Sequence, residues 1–183
     1  MKTLLIIAFT ILFNPIFSQP ERYTSIELDK LVWKKINQYR VVKGKEPFIQ
    51  FEQGLMRDFS KRVANRNIDI YPTKHSDSIG YWNSAECLYT WRHNGSITFE
   101  EKVNDILSGD FEFIASQALT GWINSPTHEQ AISRDVYDVA TVFCIIIIDR
   151  EKQSIRFDAT FHAVDNRVGA AINGYKYIKK GEL

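Results

Sequence analysis

Val139-Ala140-Thr141-Val142-Phe143-Cys144-Ile145-Ile146-Ile147-Ile148 carries no charge, no glycine and no proline. Such a continuous, mostly β-branched apolar run predicts a central strand buried on both faces. Asp149-Arg150-Glu151-Lys152-Gln153 follows as a polar turn. Arg156 to Phe161 then alternates polar and apolar residues, predicting an antiparallel partner with one buried and one wet face. Beyond this hairpin, residues 166–183 read as a loosely attached extension.

Upstream of the hairpin the periodicity changes to that of helices. Thr24 with Glu27 forms a capping box ahead of Leu28, Leu31, Val32, Ile36 and Tyr39, and Gly44 supplies a stop. Arg40, Lys43 and Lys45 suit the negative end of that helix. An extended stretch, Pro47 to Phe51, leads to a second helix marked by Leu55, Met56, Phe59 and Val63, whose Arg57, Lys61, Arg62 and Arg66 read as a solvated face. Residues 67–84 are loop-like and carry His75. Cys87 to Trp91 reads as a strand ending at the turn pair Asn94-Gly95, which with Ser96 also matches a glycosylation acceptor. Thr98 with Glu101 is a second capping box, before Val103, Ile106 and Leu107; Phe113, Ile114, Ala118, Leu119 and Trp122 mark a further helix, and Ser125-Pro126 starts a short turn from His128 to Ile132. This order predicts an α+β fold, with helices on both faces of a mainly antiparallel sheet.

The first eighteen residues hold Lys2, an apolar run from Leu4 to Phe13 broken by Thr10, and then Asn14-Pro15 before Ile16, Phe17 and Ser18. That is the pattern of a signal peptide, too short in its apolar part for a membrane span. The expected organisation is a leader at 1–18, one domain at 19–165, and the extension at 166–183. The product is expected to be secreted or periplasmic, with no transmembrane segment after cleavage. Of 183 residues, 23 are Lys or Arg and 22 are Asp or Glu; loss of Lys2 with the leader balances the charge. No electrostatic footprint for nucleic acid remains. Two cysteines cannot form a disulfide scaffold. In an oxidising compartment Cys87 and Cys144 can pair if their Cα atoms lie within about 7 Å; two separate buried thiols is the alternative.

Three pieces of sequence belong together: "KHSD" with His75, "SAECLY" with Glu86, and "GWINSPTHEQAI" from Gly121 to Ile132. In this order they resemble the CAP superfamily, which comprises cysteine-rich secretory proteins, antigen 5 proteins and pathogenesis-related proteins, and its short bacterial type above all. The opening "INQYRVVKGKEPF" looks like that family's first-helix pattern, so the likeness spans about Leu28 to Phe161. It implies a three-layer α-β-α sandwich with a cleft lined by two His and two acids. By position, His75 and His128 match the two His, and Glu86 matches one acid. Ser125 stands where larger members have the second acid, Ala85 and Cys87 replace the motif Gly and Asn, and Glu129 replaces an Arg common in bacterial members.

His75, Glu86 and His128 are the donor types of an open zinc site, so the resemblance implies zinc or another divalent cation. The same three can also form a metal-free cluster, because a carboxylate accepts from imidazole N–H groups and fixes their tautomers. His93 and His162 read as surface or sheet-edge residues. Tyr81, Trp82, Tyr89, Trp91 and Trp122 either fill the core or wall a groove for an apolar or glycan ligand. Three functions follow: a non-enzymatic binding module for a metal, small molecule, lipid or cell-surface ligand; a metal-assisted hydrolase; and a structural protein of the cell surface. No His-Glu-x-x-His pair or Gly-x-Ser-x-Gly elbow is present.

Overall fold

The hairpin is built as its sequence predicts, with β4 (Val139–Asp149) and β5 (Ser154–Val164) antiparallel along their whole length. β4 is buried almost throughout because helices pack on both of its faces. β5 separates it from β3 (Ser84–Asn94), which extends beyond the expected Cys87–Trp91 at both ends. The far edge of β4 is shared by β1 (Glu21–Tyr23), antiparallel, and β2 (Ile49–Gln50), parallel. These relations come from a computed structural model that describes residues 19–50, 55–68, 74–75, 84–95, 97–137 and 139–165. The expected leader, the C-terminal extension, Tyr81, Trp82 and Ser96 lie outside the described residues.

Helices cover both faces of this sheet. α2 (Leu55–Ile68) packs on β4 and β5 from one side. On the other lie α1 (Ile26–Val42), α3 (Phe99–Ser108), α4 (Glu112–Ile123) and α5 (Pro126–Ser133). The chain is therefore an α+β, three-layer α-β-α sandwich with a mainly antiparallel sheet. Its main core joins Val142, Cys144 and Ile146 of β4 and Phe157, Ala159 and Phe161 of β5 to Leu28, Val32, Ile36 and Trp122 of the helices. A smaller cluster places Phe143 and Ile145 against Ala64 and Ile68 of α2. Burial of each large apolar side chain contributes roughly 1.5–3 kcal/mol. No helix among the described residues is long and apolar enough to cross a membrane.

Local chemistry departs from expectation at several points. Ser25, not Thr24, caps α1: its hydroxyl accepts from the Leu28 N–H at 3.3 Å and donates to Glu27 at 2.7 Å. Thr98 precedes α3 with φ of 70°, so its side chain makes no capping bond. Arg40 is fully buried, donating to the carbonyls of Glu46 at 2.7 Å, Tyr137 at 3.4 Å, and Ile132. It bolts α1 to the segment after α5 rather than neutralising a helix end. Arg57 likewise turns inward, to Asp29 at 2.6 Å and the Val142 carbonyl at 2.9 Å, so only part of the basic face of α2 is solvated.

The expected wet face of β5 is dry. Asp158, Thr160 and His162 are all buried, because α2 lies over them. The disulfide alternative also falls: Cys87 and Cys144 are free, buried thiols. They sit on β3 and β4, with β5 between them, opposite Phe161 and Ala159 respectively. Two interstrand spacings already put them about 9–10 Å apart, beyond disulfide reach. Burial pushes both thiols up from their ordinary pKa, which leaves them protonated and unreactive.

Candidate functional site

Alternation along β3 decides where each site residue points. Glu86 and Cys87 are neighbours, so they face opposite sides of the sheet. Glu86 shares the α2 side with its direct cross-strand partner His162, whereas Cys87 lies on the other side with Sγ 3.9 Å from the His128 carbonyl oxygen. β3 is also the last described strand in the order β1-β4-β5-β3. Groups from the two helical layers can therefore meet around its edge.

His75 and His128 do so. His75 Nδ1 lies 2.9 Å from Glu86 Oε1. Its ring centroid is 6.0 Å from that of His128, on the first turn of α5, with 48° between the planes. The segment bearing His75 is tied to α2: the Lys74 N–H donates to Asn67 Oδ1 at 3.1 Å, and Arg66 donates to the Lys74 carbonyl at 2.7 Å. His75 is more than half exposed, while the Glu86 side chain is only 9% exposed. Burial, and next the neighbouring His75, hold the His128 imidazole below its usual pKa range, favouring a neutral ring.

One member of the cluster was not expected. His162 is fully buried, with Nε2 2.7 Å from Glu86 Oε2 and Nδ1 2.7 Å from Ser60 Oγ on α2. Phe59 packs edge-on against its ring. Both Glu86 oxygens thus face imidazole nitrogens. With Glu86 ionised, His162 Nε2 and His75 Nδ1 are the donors. Reading His162 as a surface residue fails because α2 covers its face of β5. The parity of the strand placed it beside Glu86; only the pairing register showed that the two are opposite each other.

Ser125 precedes α5, and its side chain makes no capping bond. Among the described residues no group of three His, Cys, Asp or Glu side chains is arranged to hold a metal. Glu86 is directed at two imidazoles instead of at a point shared with His75 and His128. What remains is a pair of imidazoles, His75 and His128, with ring centroids 6.0 Å apart, the first of them bonded to Glu86 through Nδ1. The aromatic residues separate. Tyr89 and Trp122 pack on each other and on the phenylalanines of β5, as core. Trp91 stacks on His93 and meets Phe113 edge-on, at the other end of β3.

No family model matches the chain, and no curated protein matches it significantly. Among solved structures, an outer surface protein from Borrelia burgdorferi is similar with a TM-score of 0.48 and 11% identity, over 80% of this chain and 99% of that one. The CAP resemblance accordingly rests on the motif residues themselves.

Proposed function

We propose that this chain is a secreted CAP-type binding module whose cleft, at the edge of β3, takes a divalent cation or a small ligand through His75 and His128 without turning it over. The observation that carries the reading is the chain of contacts from Ser60 through His162 and Glu86 to His75. Three of these groups are largely buried and hold the fourth, exposed imidazole in one orientation beside a half-buried, neutral His128. Preorganised imidazoles suit a metal or a hydrogen-bond donor. Zinc titration by calorimetry tests the cation. Heat is expected with the mature protein and lost in both His75→Ala and His128→Ala. No heat with the wild type, or undiminished heat in the two variants, overturns the proposal.

A further inference from the structure

A concavity lies away from His75, Glu86 and His128, between α3 and α4 over the end of β3. It has a volume of about 390 Å³, and its wall includes Trp91 and Phe113. Phe113 is 45% exposed, and the Trp91 ring meets it edge-on at 5.7 Å between centroids. His93 stacks behind Trp91 with only 15° between the rings, bracing the indole. Aromatic rings held rigidly in a water-facing hollow are a binding surface for a flat, partly apolar ligand.

The charges around the rings narrow the class of ligand. Lys102, Asp105, Asp110 and Glu112 also line the hollow. Glu112 is bonded to Lys35, outside the hollow, and Lys102 places its ammonium 4.2 Å from the Phe113 ring centre. The cation–π position on Phe113 is therefore already filled, so a cation would have only the carboxylates and not the ring to bind. An anion would meet Asp105 and Asp110. A neutral polyol meets neither obstacle: its hydroxyls can donate to the carboxylates and accept from Lys102, while its C–H face lies on the aromatic rings. The volume is enough for one or two sugar rings.

We infer that this hollow is a saccharide-binding site, independent of the histidine cleft. Saturation-transfer NMR on the mature protein, with glucose, galactose, N-acetylglucosamine, cellobiose, chitobiose and maltose as probes, tests it. At least one probe is expected to receive saturation, and its affinity should fall about tenfold in Phe113→Ala, where an exposed stacking ring is lost. Asp105→Asn, which keeps the size of the side chain, should weaken binding as well, and His75→Ala should leave it unchanged. No transfer to any probe overturns the inference. So does binding that survives both Phe113→Ala and Asp105→Asn, or binding that His75→Ala abolishes. Choline chloride is the competing probe: saturation of choline, with none of the sugars, assigns the hollow to cations and overturns the saccharide class.

Discussion

Replacing His162 by Phe keeps an aromatic ring in a fully buried position against Phe59, yet removes the donor facing Glu86 Oε2 at 2.7 Å. Ser60 is not orphaned, because its hydroxyl also lies 3.0 Å from the Met56 carbonyl. The loss falls on the carboxylate. A hydrogen bond to a charged group is worth about 1.5–3 kcal/mol, and leaving a largely buried carboxylate short of a donor costs a similar amount. A destabilisation of about 2 kcal/mol is expected, or about 4–8 °C in Tm for a domain of this size. Glu86→Leu alone should cost a comparable amount, by stripping His162 and His75 of their acceptor. The double variant removes both partners together, so it should lie closer to wild type than the sum of the singles, with a coupling of about 1–2 kcal/mol. Urea unfolding followed by circular dichroism measures all three. Additive losses would refute the pairing, and with it the idea that buried His162 anchors the cleft carboxylate.

Gly121 of α4 packs so closely on β3 that an added Cβ would stand 2.1 Å from Tyr89 Cε2. The Tyr89 ring is hemmed in by Trp122 and Phe157, so Gly121→Ala should destabilise by about 1–3 kcal/mol; an unchanged Tm contradicts that packing. Intact mass after alkylation under non-reducing conditions should show two labels on the denatured protein and slow labelling of the native one, and absence of label after denaturation would contradict the separated thiols. Burial raises the pKa of Asp29 despite its bond to Arg57, so the folded state holds that proton more tightly than the unfolded chain. Its contribution to stability must then fall as pH rises through and above the ordinary Asp range. The stability of wild type relative to Asp29→Asn should decline across that interval, and a rise instead would mean that the Arg57 pair outweighs desolvation.

The sheet and its two helical layers were legible because hydrophobic periodicity reports directly on which faces are covered. β4 could hardly be anything but a central strand. The same logic misled at β5, since alternation of Arg156, Asp158, Thr160 and His162 with apolar residues ordinarily marks a solvated face. Here α2 covers that face with groups able to bond polar side chains: Ser60 for His162, and backbone carbonyls near the end of α2 for Arg156. Arg40 and Arg57 escaped for a related reason. A guanidinium reads as surface in sequence, and only tertiary structure brings the carbonyls that make its burial tolerable. That His75 lies near Glu86 and His128 was legible through the order and spacing of three motifs. Their anchor was not, because it requires the register that sets Glu86 opposite His162.

The strand order explains why His75 and His128 meet where they do. His75 is tied to the α2 layer, His128 begins α5 in the opposite layer, and the two can approach because no described strand lies outside β3 to separate them. A ligand bridging both imidazoles would clamp the two layers around the sheet edge and bind the folded state alone. By linkage, such a ligand at a hundred times its Kd adds about 2.7 kcal/mol to stability. For a domain of this size that is about 5–11 °C in Tm. The shift should vanish in His128→Ala, where only one layer retains its donor, and should weaken in His162→Phe, where His75 keeps its imidazole but Glu86 loses its anchor. A cation held by His75 alone would stabilise little and spare the His128→Ala variant, so thermal unfolding with and without zinc separates a clamp across the edge from adventitious binding to one exposed histidine.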